Sequence, residues 1–257
     1  MKKMGPQLKK PNHITRRAMV TGSLFGLGAG SAGIVSGLCL PHSAFGAGPK
    51  PVDIAAAKQI EGACRLLPEA VEGPYYFDPK LVRQDIRDGR QGREISLVLK
   101  VVDGVSCQPL DGVRVDVWHA DARGVYSGYD SQGDKRNISA RGEDYLRGTQ
   151  ISQADGLVRF TTIYPGWYPG RTPHIHVKVF LNRMTLLTGQ IYFPEELSQR
   201  IYSSFEPYVK RPVSDTRNSN DWLFQSAAKE GGGIVMTVDS EEDALVASLV
   251  IAVDKSG

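Results

Sequence analysis

The 257-residue sequence holds five histidines, and their positions limit where a metal or proton-transfer site can form. His13 and His42 lie in the amino-terminal stretch, which leaves His119, His174 and His176. In Pro173-His174-Ile175-His176-Val177 the two imidazoles are two residues apart on a predicted strand, so both leave the same face. Ile175, Val177, Val179 and Leu181 take the other face, which is the natural core side. The pair is then either two exposed strand histidines or two imidazoles aimed at one metal. Just upstream, the proline-rich turn Pro165-Gly166-Trp167-Tyr168-Pro169-Gly170-Arg171 brings a tyrosine and an arginine next to the pair. A second strand ends in a loop carrying Tyr126, within Trp118-His119-Ala120-Asp121-Ala122-Arg123-Gly124-Val125-Tyr126. Phenolate is a hard anionic ligand, and with imidazole it favours a small trivalent cation; two phenolates and a hydroxide would neutralise Fe(III). The thiolates expected of a structural zinc site are missing from this region.

These side chains must be held by something, and composition says what kind of body does it. Hydrophobic residues at 41%, charged at 23% and aromatic at 8% suit a globular protein and exclude collagen-like or wholly disordered chains. The net charge of +3 is misleading, because residues 1–47 carry six basic side chains and no acidic one. Removing them leaves 25 basic against 28 acidic residues, a body at −3 with no source for phosphate-backbone attraction, so no nucleic-acid partner is expected.

The leader itself has the three-part layout of an export signal. Thr15-Arg16-Arg17 closes a positive segment, an uncharged stretch follows from Ala18 to Leu40, and small residues run through Ser43-Ala44-Phe45-Gly46-Ala47. Adjacent arginines before a glycine-rich, weakly apolar stretch resemble a twin-arginine signal, which implies export of an already folded protein to the periplasm or beyond. Six glycines in that stretch make a poor membrane-spanning helix, so cleavage near Ala44 to Ala47 is expected over stable membrane insertion. Loss of the leader takes Cys39 with it; Cys64 and Cys107 remain as one candidate disulfide, though sequence alone does not place them within bridging distance.

Residues 48–257 suit a single domain with a full core. Their periodicity is mainly of period two: Ile95, Leu97, Leu99 and Val101 alternate with polar neighbours, as do Val113, Val115 and Val117. Further strand-like runs are 157–163, 174–181, 186–193, 234–238 and 245–253, with turn signals at Asp103-Gly104, Asp111-Gly112, Arg123-Gly124, Asp155-Gly156 and Pro165-Gly166. The pattern predicts an all-β fold, an antiparallel β-sandwich with irregular loops and one or two short helices, near Ala55 to Leu67 and Pro194 to Phe205. Residues 206–233 read as an irregular surface excursion.

Taken in order, Glu72-Gly73-Pro74-Tyr75-Tyr76, the Trp118 to Tyr126 segment, Pro165-Gly166-Trp167-Tyr168-Pro169, His174-Ile175-His176 and Thr188-Gly189-Gln190-Ile191-Tyr192-Phe193 resemble the intradiol ring-cleavage dioxygenases, most of all the protocatechuate dioxygenase catalytic domain. The resemblance covers about Cys64 to Phe224. It implies a non-haem Fe(III) held by Tyr126, Tyr168, His174 and His176. It further implies a catechol-like substrate cleaved by O2 between its two hydroxylated carbons to a muconate-type diacid. Tyr168 would be the ligand displaced as the catechol arrives, Arg171 would stabilise carbanion-like charge on the ring, and Gln190 would lie near that ring. Two departures, Val125 where protocatechuate enzymes often have arginine and a short segment between Tyr168 and His174, fall near the expected substituent position and leave the particular catechol open. No counterpart of the long amino-terminal dimerisation segment of catechol dioxygenases is expected, and a homo-oligomer stays open.

Each residue also has a plainer role. Tyr126 and Tyr168 could be half-buried aromatics, Arg171 a solvated charge, Gln190 a polar strand residue, Trp118 core, and His119 a satisfied histidine at a strand end. Two other functions compete: a zinc hydrolase using His119, His174 and His176 with an open fourth position, and a non-catalytic sandwich presenting Tyr164, Trp167, Tyr168 and Tyr192 as an aromatic platform.

Overall fold

The computed structural model describes residues 64–255 apart from 79, 232–233 and 241–244. The leader expected over 1–47, and most of the helix expected near Ala55 to Leu67, lie outside the described residues. The described end of that helix, Cys64 to Leu67, is not helical: Leu67 donates its N–H to the Ala252 carbonyl at 3.1 Å.

The described residues form eight strands: β1 (Glu94–Asp103), β2 (Arg114–Trp118), β3 (Arg147–Ile151), β4 (Leu157–Ile163), β5 (His174–Leu181), β6 (Met184–Tyr192), β7 (Thr237–Ser240) and β8 (Leu245–Val253). They form two four-stranded sheets, ordered β4-β1-β8-β7 and β3-β2-β5-β6. Ile95, Leu97, Leu99 and Val101 from the first sheet meet Val115, Val117, Ile175, Val177 and Val179 from the second in one buried core. This is the sandwich that the alternation predicts, because each strand hides one face.

Three local features differ from the sequence pattern. β8 runs parallel to β1, from Ile95 opposite Leu245 to Asp103 opposite Val253. β1 and β8 are far apart in the sequence, so no hairpin between them imposes an antiparallel sense, whereas β8 pairs antiparallel with β7, the strand just before it. β3 carries Arg147, Gly148 and Gln150, poor strand formers, and exists because β2 and the bridge at Val82 pair with it. The expected irregular stretch 206–233 contains a 3-10 turn at Tyr208–Lys210 and helix α2 (Trp222–Lys229), besides the expected helix α1 (Glu195–Ser204) before it. Asp221 caps α2, its Oδ1 accepting from Leu223 and Phe224 N–H. Among the described residues no helix is long and apolar enough to cross a membrane.

The second sheet turns its outer face to the chemistry. Register sets Arg147, Trp118, His176 and Gln190 in one row across β3, β2, β5 and β6, with His174 opposite Tyr192 in the adjacent row. Tyr75 and Tyr76 pack over Trp118 and Tyr126 on this face. Both histidines are therefore buried, and an exposed strand pair is excluded.

Cys64 and Cys107 are joined, with Cα atoms 5.6 Å apart. The bridge ties the entry segment to the turn after β1. Across a separation of 43 residues the chain-entropy model gives it about 4 kcal/mol at most. Cys107→Ser is expected to lower the denaturation midpoint in urea and to raise the m value as the unfolded chain expands, and an unchanged midpoint and m would show that the bridge does not restrain the unfolded chain.

Candidate metal centre

His174 and His176 reach the site from β5, two residues apart on the same face, and their Nε2 atoms are 3.2 Å apart. Tyr168 arrives on the tight turn Tyr168-Pro169-Gly170-Arg171, closed by an Arg171 N–H to Tyr168 carbonyl bond of 3.0 Å. Proline at the second position and Gly170 at φ +81° at the third are the requirements of a type II turn. The turn sets Tyr168 and Arg171 side by side. Tyr126 comes from the loop after β2, and Gly166 lets the two loops meet. Its N–H donates to the Asp121 carbonyl at 3.0 Å, and a Cβ there would lie 2.4 Å from the Ala122 oxygen.

The four donors converge. His174 Nε2 lies 3.2 Å from the Tyr168 hydroxyl, 3.4 Å from the Tyr126 hydroxyl and 3.2 Å from His176 Nε2, with Arg171 Nη1 at 3.5 Å. His174 Nδ1 donates to the Thr172 carbonyl at 2.7 Å, so its Nε2 carries a lone pair with room for one hydrogen bond. Four polar neighbours oversubscribe it. Donors around a cation at about 2.0–2.1 Å in tetrahedral array stand about 3.3 Å from one another, which matches these separations. The residues present thus fit a metal.

The electrostatics narrow which metal. Burial first, then the Arg171 guanidinium, keep both His174 and His176 well below the usual imidazole range, so they are neutral and able to ligate. Burial, then the neighbouring Tyr168 oxygen, hold the Tyr126 phenol well above its ordinary value. Tyr168 is raised by burial, with Arg171 pulling the other way. Ionising two such phenols takes a strong local positive charge, which a trivalent cation supplies better than a divalent one. Among the described residues no group of three or more His, Cys, Asp and Glu side chains could hold a metal, so a site here needs the phenols.

Arg171 is not a solvated charge. Its Nε donates to the fully buried Asp221 Oδ2 at 2.9 Å, and its Nη2 to Gln190 Oε1 and, at 3.4 Å, toward the Tyr192 hydroxyl. Burial alone would lower its pKa, and the Tyr168 and Asp221 oxygens more than reverse that. Gln190 donates in turn to the Val71 carbonyl at 3.2 Å. Asp221 Oδ2 also accepts the Thr172 N–H at 2.9 Å, and Asn218 Oδ1 accepts the Thr172 hydroxyl at 2.8 Å. Asp221 and Asn218 were not singled out in the sequence. An Asp directly before Trp-Leu-Phe is a helix-cap signal, but nothing local shows that its other oxygen holds Arg171.

His119 does not join the pair. Its Nδ1 donates to the Ala120 carbonyl at 2.8 Å and its Nε2 accepts from the Thr162 hydroxyl at 2.6 Å, so both nitrogens are engaged and the three-histidine zinc arrangement is not available. Val125 is packed in the hydrophobic core. Tyr164 and Tyr192 are fully buried, which rules out an exposed aromatic platform. Trp118 is buried as expected, but against the site: its indole stacks on His176 with centroids 4.7 Å apart.

A family model described as Dioxygenase matches residues 71–222, more than half of the chain. An intradiol ring-cleavage dioxygenase from Tetranychus urticae is 34% identical at a TM-score of 0.66, over 74% of this chain and 95% of that one. The chain belongs to the intradiol ring-cleavage dioxygenase family. The catechol 1,2-dioxygenase of Acinetobacter baylyi (strain ATCC 33305 / BD413 / ADP1) is 30% identical over 134 residues, covering 50% of this chain and 40% of that protein. The protocatechuate 3,4-dioxygenase beta chain of Burkholderia cepacia is 31% identical over 131 residues, covering 46% and 52%. This dioxygenase therefore spans about half or less of the curated relatives it matches, and its likeness does not separate the catechol type from the protocatechuate type.

The buried neutral His119 has a consequence for stability. Burial holds it down at about 4 against an ordinary 6.5, so the unfolded chain takes up the proton first. The stability gained by keeping it neutral is complete above about pH 6.5 and is lost as pH falls towards 4, at up to about 1.4 kcal/mol per pH unit. Melts at pH 5 should give a lower Tm than at pH 7, with the gap narrowing in His119→Gln; an unchanged gap would mean that His119 does not contribute.

Proposed function

We propose that this protein is a non-haem Fe(III) intradiol dioxygenase. It cleaves a catechol-type ring with O2 between the two hydroxylated carbons to give a muconate-type diacid. The observation that carries the proposal is the convergence of Tyr126, Tyr168, His174 and His176 around one point beside Arg171. Those four side chains would hold the iron, whose chemistry there is chelation of the catecholate and activation of its ring toward dioxygen.

The chain's own residues do the rest. Tyr168, half-buried at the rim, is the phenol able to leave; as a departing phenolate its oxygen can take up one catechol proton. Tyr126, wholly buried and stacked under Tyr75 at 4.6 Å, stays. Arg171, held by Asp221 and Gln190, keeps a preorganised guanidinium beside negative charge developing on the ring. Removal of one such donor typically costs about 10²–10³ in kcat. The zinc and platform alternatives lose their support with the engagement of His119 and the burial of Tyr164 and Tyr192.

Iron-loaded protein should be red-brown from tyrosinate-to-iron charge transfer and should consume oxygen with one or more of catechol, protocatechuate and hydroxyquinol in an oxygen electrode. The double variant Tyr126→Phe, Tyr168→Phe should be folded and colourless, and Arg171→Leu coloured but about 10²- to 10³-fold slower. A folded, colourless parent without oxygen uptake would refute the proposal.

We further propose that the enzyme is exported folded by a twin-arginine signal and acts outside the cytoplasm. The adjacent Arg16 and Arg17 and the residues after them support this, and the Cys64–Cys107 bridge suits an oxidising destination. Replacing both arginines by lysine should retain the precursor in the cytoplasm on fractionation; unchanged export would exclude that route.

A further inference from the structure

We propose that Trp118 is a positioning residue of the metal centre, its indole face fixing the plane of His176 where no hydrogen bond does; the proposal rests on the iron reading above. The two histidines of the pair are held in different ways. His174 donates its Nδ1–H to the Thr172 carbonyl at 2.7 Å, which sets both tautomer and ring plane. A metal-binding imidazole ordinarily has such an acceptor behind it. Among the described residues His176 Nδ1 has none, although the atom is buried.

His176 has ring contact in its place. Trp118 is its cross-strand partner in the β2–β5 register, and the two rings stack at 4.7 Å and 12°. The Gly73 backbone lies against the ring as well, since a Cβ built there would be 3.6 Å from His176 Cε1. The indole is itself anchored. Tyr76 packs on it at 4.8 Å and donates its hydroxyl to Asp116 Oδ2 at 2.9 Å. Asp116 Oδ1 accepts in turn from Thr149 at 2.7 Å and from Arg114 at 2.8 Å.

Trp118 Nε1 likewise has no acceptor among the described residues, so the indole is placed by its faces and not by its N–H. Two neighbouring buried donors without acceptors are costly, at about 1–3 kcal/mol each, and a residue serving packing alone would be better replaced by an apolar ring. Trp118 also stands outside the main core, in a cluster with Ala120 and Tyr126 against which Tyr75, Tyr76 and Tyr168 pack.

Iron release to an excess of chelator, the rhombicity of the ferric EPR signal and the charge-transfer maximum are to be measured on the iron-loaded parent, Trp118→Phe and Trp118→Leu, with Tm recorded for each. Trp118→Leu is expected to release iron about 10- to 100-fold faster with an altered EPR signal, and Trp118→Phe, which keeps a flat face, to stay within about threefold of the parent. If Trp118→Leu is not recovered folded, Trp118→Met fills the space without a flat face and is expected to behave as Leu should. Parental release and EPR signal in the Leu or Met variant, with only Tm lowered, would make Trp118 a packing residue and overturn the proposal. A parent that takes up no iron would overturn the iron reading itself, an outcome visible before any Trp118 variant is compared.

Discussion

One lone pair with four polar neighbours is the constraint around which this structure is arranged. His174 Nε2 can accept a single hydrogen bond, yet two phenol oxygens, a second imidazole nitrogen and a guanidinium approach it within 3.5 Å. A bound cation would give the two phenol oxygens and two imidazole nitrogens a common partner. Every nearby element contributes to holding the cluster: β5 delivers two donors at a spacing that the pleat fixes, and two loops bring the phenols onto the sheet's outer face. The inner face of the same sheet carries the hydrophobic core, so packing energy and site geometry are set by opposite sides of one strand.

Asp221 extends that arrangement beyond the sheet. One of its oxygens caps α2 and the other binds both Arg171 and the Thr172 N–H, while the Thr172 carbonyl fixes His174. A fully buried carboxylate with these partners compensates a cation that burial alone would disfavour. Asp221 takes the Nε edge of Arg171, while Nη1 faces the Tyr168 hydroxyl at 3.4 Å. Because the pair is desolvated, its strength is little screened by salt.

Much of this was legible in the residues. His-x-His on a strand of alternating aliphatics predicts two imidazoles on one face, and Tyr-Pro-Gly-Arg predicts a turn with tyrosine and arginine adjacent. Strands β1, β2, β4, β5, β6 and β8 follow from period-two burial, which hydrophobic pattern encodes directly. What was hidden depends on partners distant in sequence. β3 is a strand because its neighbours make it one, and the parallel pairing of β8 with β1 joins strands distant in the chain. Asp221 binds Arg171 across 50 residues. Trp118 was legible as buried, but its stack on His176 comes from the register between β2 and β5, which pattern alone does not set.

The two tyrosines show how burial assigns different duties to the same side chain. Tyr126 follows β2 in a loop pinned by Asp121, which accepts from the N–H groups of Arg123 and Val125, and its ring is covered by Tyr75. Moving it would open buried packing on several sides. Tyr168 stands at the first corner of a turn whose tip, Pro169 and Gly170, is exposed, and its ring is only partly covered. Were it to swing outward, its hydroxyl would leave behind Arg171 Nη1, a donor 3.4 Å away. Of the two phenols Tyr168 is thus the less enclosed, and under the proposed function its departure would uncover the Arg171 positive charge that an anionic ring could meet.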